Sequence, residues 1–282
     1  MVSSMRQARP ACLLSLVLAL PAPAEAVTRG QVSRDPGGVR SAVVRVESSR
    51  GELCSGAVIA PDLVLTAAHC VWEPASYRVV AVDRAFRPLT VRALAAAPHP
   101  AFVPGTTPRG QPGVDLAILR LETPLGSDFR PLDPRAAAPV AAGEPVALAG
   151  FGLSGEGRPG SARVLRQAEV TALGTLQVAN RVLVVADGER LAETPGAGAC
   201  RGDSGGPVFR AEAGGFRLLG IISWSSAALR APGRSACGGL TAVTPVADHA
   251  AWIAQRSAEL RRLRPGRAEA RGVGEAMDWA AR

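Results

Sequence analysis

The sequence predicts an all-β protein. Short apolar or alternating runs recur along it: AVVRVE (42–47), GAVIA (56–60), LVLTA (63–67), YRVVAV (77–82), LTVRALA (89–95), LAILRL (116–121), PVALAGFG (145–152), VLRQAEVTAL (164–173), RVLVVA (181–186), PVFR (207–210), FRLLGIISW (216–224) and LTAVT (240–244). Stretches rich in Gly, Pro and Asp separate them, and helix-length patterns do not alternate with them. That rhythm fits a sandwich or barrel set rather than βαβ units. Only one segment has a helical period. After Thr244 as cap and Pro245 at the first helical position, Val246, Ala250, Ile253 and Leu260 recur on one face.

Each end of the chain has its own character. Arg6 and Arg9 precede the apolar run ACLLSLVLAL (11–20), which is too short to span a bilayer. The small-x-small pattern Ala24-Glu25-Ala26 follows. Together they predict a secretory signal peptide over 1–26, cleaved before Val27, with no membrane association afterwards. AAAPVAAGEP (136–145) is placed as the link between two β halves. From Pro265 the pattern is lost, so 265–282 is expected to be a flexible Arg-rich tail and 27–264 the folded domain.

Composition excludes several classes. The chain has 282 residues, 47% hydrophobic and 20% charged, an ordinary globular balance. Its formal net charge is +8, but the arginines form no dense stripe and aromatics are only 4%, too few for base stacking, so nucleic acid is not an expected partner. All 32 basic residues are arginine, which with abundant Ala, Gly and Pro points to a high-GC bacterial genome. Cys12 lies in the leader; Cys54, Cys70, Cys200 and Cys237 remain for an oxidising compartment. Four cysteines allow three pairings, with free thiols or a metal site as alternatives. No C-x-x-C is present and the histidines do not cluster with the cysteines, so no metal is expected.

CRGDSGGP (200–207) can be read as a surface turn, as an adhesion tripeptide Arg201-Gly202-Asp203, or as a nucleophile loop around Ser204. A serine hydroxyl is a weak nucleophile; it needs a base, and the base needs an orienting group. Histidine titrates near neutrality and suits the first role, and a carboxylate on its far nitrogen suits the second. Of the three histidines, His69 ends VLTAAHC, His99 sits between prolines and His249 lies on the C-terminal helix. Asp115 opens the apolar run DLAILRL, where a lone acid needs a partner.

LTAAHC, DLAILRL and CRGDSGGP, in this order, resemble the three signature blocks of trypsin-like serine proteases. CSGAVIAPDLVLTAAHC (54–70), Gly150-Phe151-Gly152, Ser223-Trp224-Ser225 and the closing Trp252-Ile253 extend the resemblance over roughly 27–254. It implies two packed six-stranded antiparallel β-barrels with a C-terminal helix and the active site between them. It carries over His69 as general base, Asp115 as its orienter and Ser204 as nucleophile. The N–H groups of Gly202 and Ser204 would form the oxyanion hole, and Ser223, Trp224 and Ser225 would lie beside the substrate backbone. The same resemblance pairs Cys54 with Cys70 and Cys200 with Cys237.

The resemblance also implies a specificity pocket and a switch. Gly198, with Ala199 next, falls where an acid would select Arg or Lys. Ser225 stands at the pocket mouth and Gly239 on the opposite wall, so small or medium apolar side chains are expected. The family is activated when a new N-terminal amine pairs with the acid before the serine, here Asp203; Val27, in VTRGQ, is the expected amine. The resulting expectation is a secreted (extracellular or periplasmic), monomeric serine endopeptidase acting on protein or peptide, without cofactor. The alternative is a catalytically weak protease-like binding or adhesion protein.

Overall fold

The computed structural model describes residues 27–35, 37–136, 139–231 and 235–263, so the expected leader (1–26) and tail (265–282) lie outside the described residues. Each apolar run forms a strand. In chain order they are β1 (Gln31–Val32), β2 (Val43–Ser48), β3 (Leu53–Ala60), β4 (Leu63–Thr66), β5 (Tyr77–Val82), β6 (Pro88–Pro98) and β7 (Ala117–Leu121). The second half contributes β8 (Pro145–Gly150), β9 (Arg166–Gln177), β10 (Arg181–Ala186), β11 (Pro207–Glu212), β12 (Gly215–Ala227), β13 (Gly238–Pro245) and the helix α1 (Ala250–Arg261). Only the two-residue β1 had no sequence signal; it is too short for alternation to show and is held by pairing with β9.

The strands close into two antiparallel six-stranded barrels. The first runs β2-β3-β4-β7-β6-β5 and closes through the β2–β5 pair. The second runs β9-β10-β13-β12-β11-β8 and closes through β8–β9, with β1 as an added edge strand. Closure leaves neither barrel a full-length open edge to aggregate along. Val44, Val46, Val58, Leu63, Leu65, Ile118 and Leu119 fill the first core; Val146, Leu148, Leu183, Val185, Val208, Leu219 and Val243 fill the second.

Two expectations at element boundaries are corrected. The link between the barrels is longer than 136–145: it runs from the end of β7 to the start of β8, and its first part packs on the first barrel through Leu125, Phe129 and Leu132. Thr244 and Pro245 do not start the helix. They stay in β13, where Thr244 is opposite Ile221 and Pro245 opposite Gly220. A 3-10 turn (Ala247–His249) intervenes before α1, so ladder pairing outweighs the local capping signal. The apolar face is as expected, however: Val246, Ile253 and Leu260 are buried, and they pack into the first barrel's core.

Candidate active site

The register of the first barrel sets two of the expected site residues side by side. Thr66 at the end of β4 pairs with Ala117 at the start of β7. The chain just past β4 and the chain just before β7 therefore meet, and these carry His69, in a 3-10 turn (Ala68–Cys70), and Asp115. Asp115 is fully buried. Its Oδ1 accepts the His69 backbone N–H at 2.9 Å, and its Oδ2 lies 2.8 Å from His69 Nδ1. Burial alone would raise this carboxyl, but the neighbouring His69 and hydrogen bonds from His69 and Ser223 outweigh it and hold it below the usual aspartate range.

Ser204 comes from the second barrel. Gly205 donates to the Ile222 carbonyl at 2.7 Å and Ile222 donates to that of Gly206 at 2.9 Å, so the serine loop is zipped onto β12 just before β11 begins. Gly205 has φ +83°, and a Cβ there would stand 2.1 Å from Thr66 Oγ1, so only glycine lets the two barrels approach here. Ser204 Oγ donates to the Ser223 carbonyl at 3.4 Å. No hydrogen bond joins it to His69 among the described residues. Catalytic contacts are often loose before substrate arrives and tighten in the complex.

The loop before Ser204 is a tight turn closed by the Asp203 N–H on the Cys200 carbonyl at 3.1 Å, with Gly202 at φ +94°. Neither the Gly202 nor the Ser204 N–H has an acceptor among the described residues. The Asp203 side chain turns inward and is fully buried, which removes it from any adhesion role for Arg201-Gly202-Asp203. Its two oxygens accept from Gly152 N (2.8 Å) and Cys200 N (2.9 Å). Burial drives its carboxyl up to about 7, against the pull of those amides and of Arg166.

Val27 is also fully buried, packed in the second barrel's core beside Ala199 and Leu148. The next residue, Thr28, exchanges backbone hydrogen bonds with Gly198, 3.0 Å from its N–H to the Gly198 carbonyl and 3.3 Å in return. The residue expected as the new N-terminus is thus threaded into the wall of the expected specificity pocket.

Both expected disulfides form, Cys54–Cys70 and Cys200–Cys237. The first fixes the His69 turn, with Cys70 Sγ 3.6 Å from His69 Nε2; the second ties the serine loop to the bend just before β13. Because both sulfurs of Cys54 and Cys70 are in a disulfide, neither offers a thiolate to a metal alongside His69. Replacing Cys54 and Cys70 together by alanine is expected to cost about 3 kcal/mol from the loop-closure entropy of the freed segment, read as a lower urea midpoint.

At Gly198, the position expected to floor a specificity pocket, a Cβ would meet the Gly239 carbonyl and the Thr241 hydroxyl, each at 3.4 Å, and neither of these groups is charged. Ala199 is buried, and its N–H donates to Thr241 Oγ1 at 3.0 Å. Ser225 does not project freely across the mouth: its hydroxyl donates to the Ala236 carbonyl at 2.5 Å.

Three contacts escaped sequence reasoning. Ser223, expected beside the substrate backbone, also uses its buried side chain to donate to Asp115 Oδ2 at 2.5 Å. Ser55, on β3, donates its hydroxyl to the Gly202 carbonyl (2.9 Å), accepts the Phe151 N–H (2.9 Å), and gives its own N–H to the Ser204 carbonyl (2.8 Å). Thr241 brings its hydroxyl against Gly198 and accepts the Ala199 N–H at 3.0 Å. All three involve short hydroxyl residues inside strand patterns, where nothing in the local sequence marks a long-range partner.

The fold and site together define a trypsin-type architecture, and comparison with known proteins agrees. The sequence profile of the Trypsin family matches residues 29–253, and this chain belongs to that family. It is 33% identical over 210 residues to mouse (Mus musculus) serine protease 56, covering 68% of this chain but only 33% of that protein. It is 32% identical over 204 residues to human granzyme M, covering 66% of this chain and 74% of that one. Trypsin alpha-4 of Lucilia cuprina is 27% identical over 230 residues, covering 76% and 85%. The fold superposes on human heparin binding protein with TM-score 0.61 at 24% identity, covering 85% of this chain and 99% of that one. These relatives come from mammals and an insect, so they lend nothing to the bacterial origin read from composition.

Proposed function

We propose that the chain is a secreted serine endopeptidase acting through His69, Asp115 and Ser204. The observation that carries this reading is the buried Asp115, which grips both the backbone and the ring of His69 while Ser204 stands in a loop with two unpaired amides. In this mechanism Asp115 holds Nδ1–H toward itself and leaves Nε2 free to accept the Ser204 proton. Ser204 Oγ attacks the peptide carbonyl, and the amides of Gly202 and Ser204 receive the negative oxygen. Each such donor contributes about 3–4 kcal/mol to transition-state binding. His69 then protonates the leaving amine, and water, deprotonated by the same nitrogen, hydrolyses the acyl-enzyme.

The reading extends to the rest of the expected arrangement. Residues 27–264 act as the protease domain and 1–26 as the export signal, in keeping with two disulfides and with no described helix long and apolar enough to cross a membrane. The chain works as a monomer on protein or peptide. The uncharged floor at Gly198 and Thr241 favours small or medium apolar side chains before the scissile bond. A cleavage profile led by Arg or Lys would overturn that preference, whereas Gly198→Asp is expected to create it.

The second reading, a protease-like binding protein, is favoured by one observation: Ser204 Oγ is engaged with Ser223 rather than His69. A fluorophosphonate probe separates the two. Labelling of protein starting at Val27, absent in Ser204→Ala, is the expected result. Folded, correctly processed protein that takes no label would overturn the enzyme reading.

A further inference from the structure

Among the described residues, no strand pairs with the edge that leaves Ser204. Up to Ile222, β12 is paired on that side with the serine loop and β11; from Ser223 onward its only ladder among the described residues is with β13, on the other side. An extended peptide whose scissile carbonyl meets Ser204 can add antiparallel to Ser223–Ser225. The residue before the scissile bond is then opposite Ser223 and the second residue is opposite Trp224. Side chains alternate with period two, so the second and fourth residues share the Trp224 face.

A cation stands on that face. The Arg109 guanidinium lies 5.4 Å from the centroid of the Trp224 ring. Arg109 is exposed and has no carboxylate partner among the described residues. It is carried by a built loop rather than a loose one. Gln111, fully buried, accepts the N–H groups of Val103 (3.0 Å) and Gly113 (2.8 Å) and donates to the Val103 carbonyl (3.0 Å) and Thr106 Oγ1 (2.8 Å). Thr107 accepts the Gly110 N–H at 3.2 Å, and Asn180 from the second barrel donates to the Gly113 carbonyl at 2.6 Å. The loop therefore holds a positive charge over the strand edge at low ordering cost.

We infer that Arg109 is a specificity-determining residue that selects substrates carrying a carboxylate, Asp or Glu, on the second or fourth residue amino-terminal to the scissile bond. This rests on the protease reading for the scissile bond but not for the binding edge. Arg109 already stacks on Trp224, so a carboxylate adds its hydrogen bonds to a guanidinium that is oriented in advance.

The test uses matched fluorogenic peptides with a small apolar residue before the scissile bond and Glu or Gln at the second or the fourth position. Cleavage by the wild-type protein is compared with that by Arg109→Gln and Arg109→Lys. Affinity for the same peptides is measured on Ser204→Ala, alone and with Arg109→Gln. At one of the two positions Glu is expected to exceed Gln by roughly fivefold, the scale of one exposed ion pair. The ratio should shrink with added salt, weaken in Arg109→Lys and fall to one in Arg109→Gln. Equal use of Glu and Gln at both positions, or a preference untouched by Arg109→Gln, overturns the inference. Fluorophosphonate labelling reads the nucleophile separately. If it fails, the enzyme reading falls while the Glu-to-Gln binding ratio on Ser204→Ala still decides the role of Arg109.

Discussion

Asp115→Asn is expected to lower kcat by about four orders of magnitude while the protein stays folded. The carboxylate accepts twice from His69, at its backbone N–H and at Nδ1, and once from the Ser223 hydroxyl. An asparagine can still accept from the backbone with its carbonyl oxygen. Its NH2 then faces Nδ1 and, being a donor, forces the ring into the tautomer that carries its hydrogen on Nε2. That nitrogen cannot take the Ser204 proton. Two measurements check the argument: kcat on a peptide ester, and thermal unfolding to show that the loss is not collapse. A decrease of less than tenfold in a folded variant would remove Asp115 from the proposed triad. The sign of the pH effect follows from the lowered carboxyl. The stabilisation that Asp115 gives is present above the ordinary aspartate range and is lost as pH falls through its depressed folded value. The acid limb of a pH–rate profile near neutrality therefore belongs to another group.

The second large effect concerns Val27. Protein beginning at Val27 with a free amine is expected to outpace the same protein acetylated there, or extended by one residue, by roughly a hundredfold or more. While Val27 remains in peptide linkage, the buried Asp203 accepts from the Gly152 and Cys200 amides and feels the charge of Arg166, yet burial drives its carboxyl up to about 7. Its raised value costs stability as pH climbs from the ordinary aspartate range to about 7, because the unfolded chain ionises first. The blocked protein should therefore be less stable at pH 8 than at pH 5. A free amine reverses the sign. Paired with Asp203, its folded pKa rises above the usual value of about 8, so its contribution is full below that value and is lost as pH rises through the folded one. Activity should fade on the alkaline side in parallel. Equal turnover in blocked and free forms, with identical pH–stability curves, would exclude this switch.

Much of this layout was legible because it is written in local patterns. The short apolar runs YRVVAV and RVLVVA matched β5 and β10 to the residue. His69, Asp115 and Ser204 each sit in a block whose neighbours announce them. An acid opening an apolar strand called for a partner, and Asp115 has His69 at 2.8 Å. What could not be read is what depends on closure. Ser55 and Gly202 are 147 residues apart, and Ser223 and Asp115 are 108 apart, so no window of sequence contains both members. The helix start was missed for a related reason. Thr244 and Pro245 carry a genuine capping signal, but a β-ladder partner across the barrel claims them first.

The seating of α1 on the first barrel has a consequence for biosynthesis. Val246, Ile253 and Leu260 complete a hydrophobic cluster otherwise built almost entirely from residues 42–132. A chain made from its N-terminus exposes that unfinished patch until α1 has emerged. The N-terminal barrel therefore cannot reach its final stability as an early folding unit, whatever the speed of its own hairpins. Chains truncated before Ile253 should accumulate as protease-sensitive, aggregation-prone species even though every residue of the proposed catalytic machinery is present.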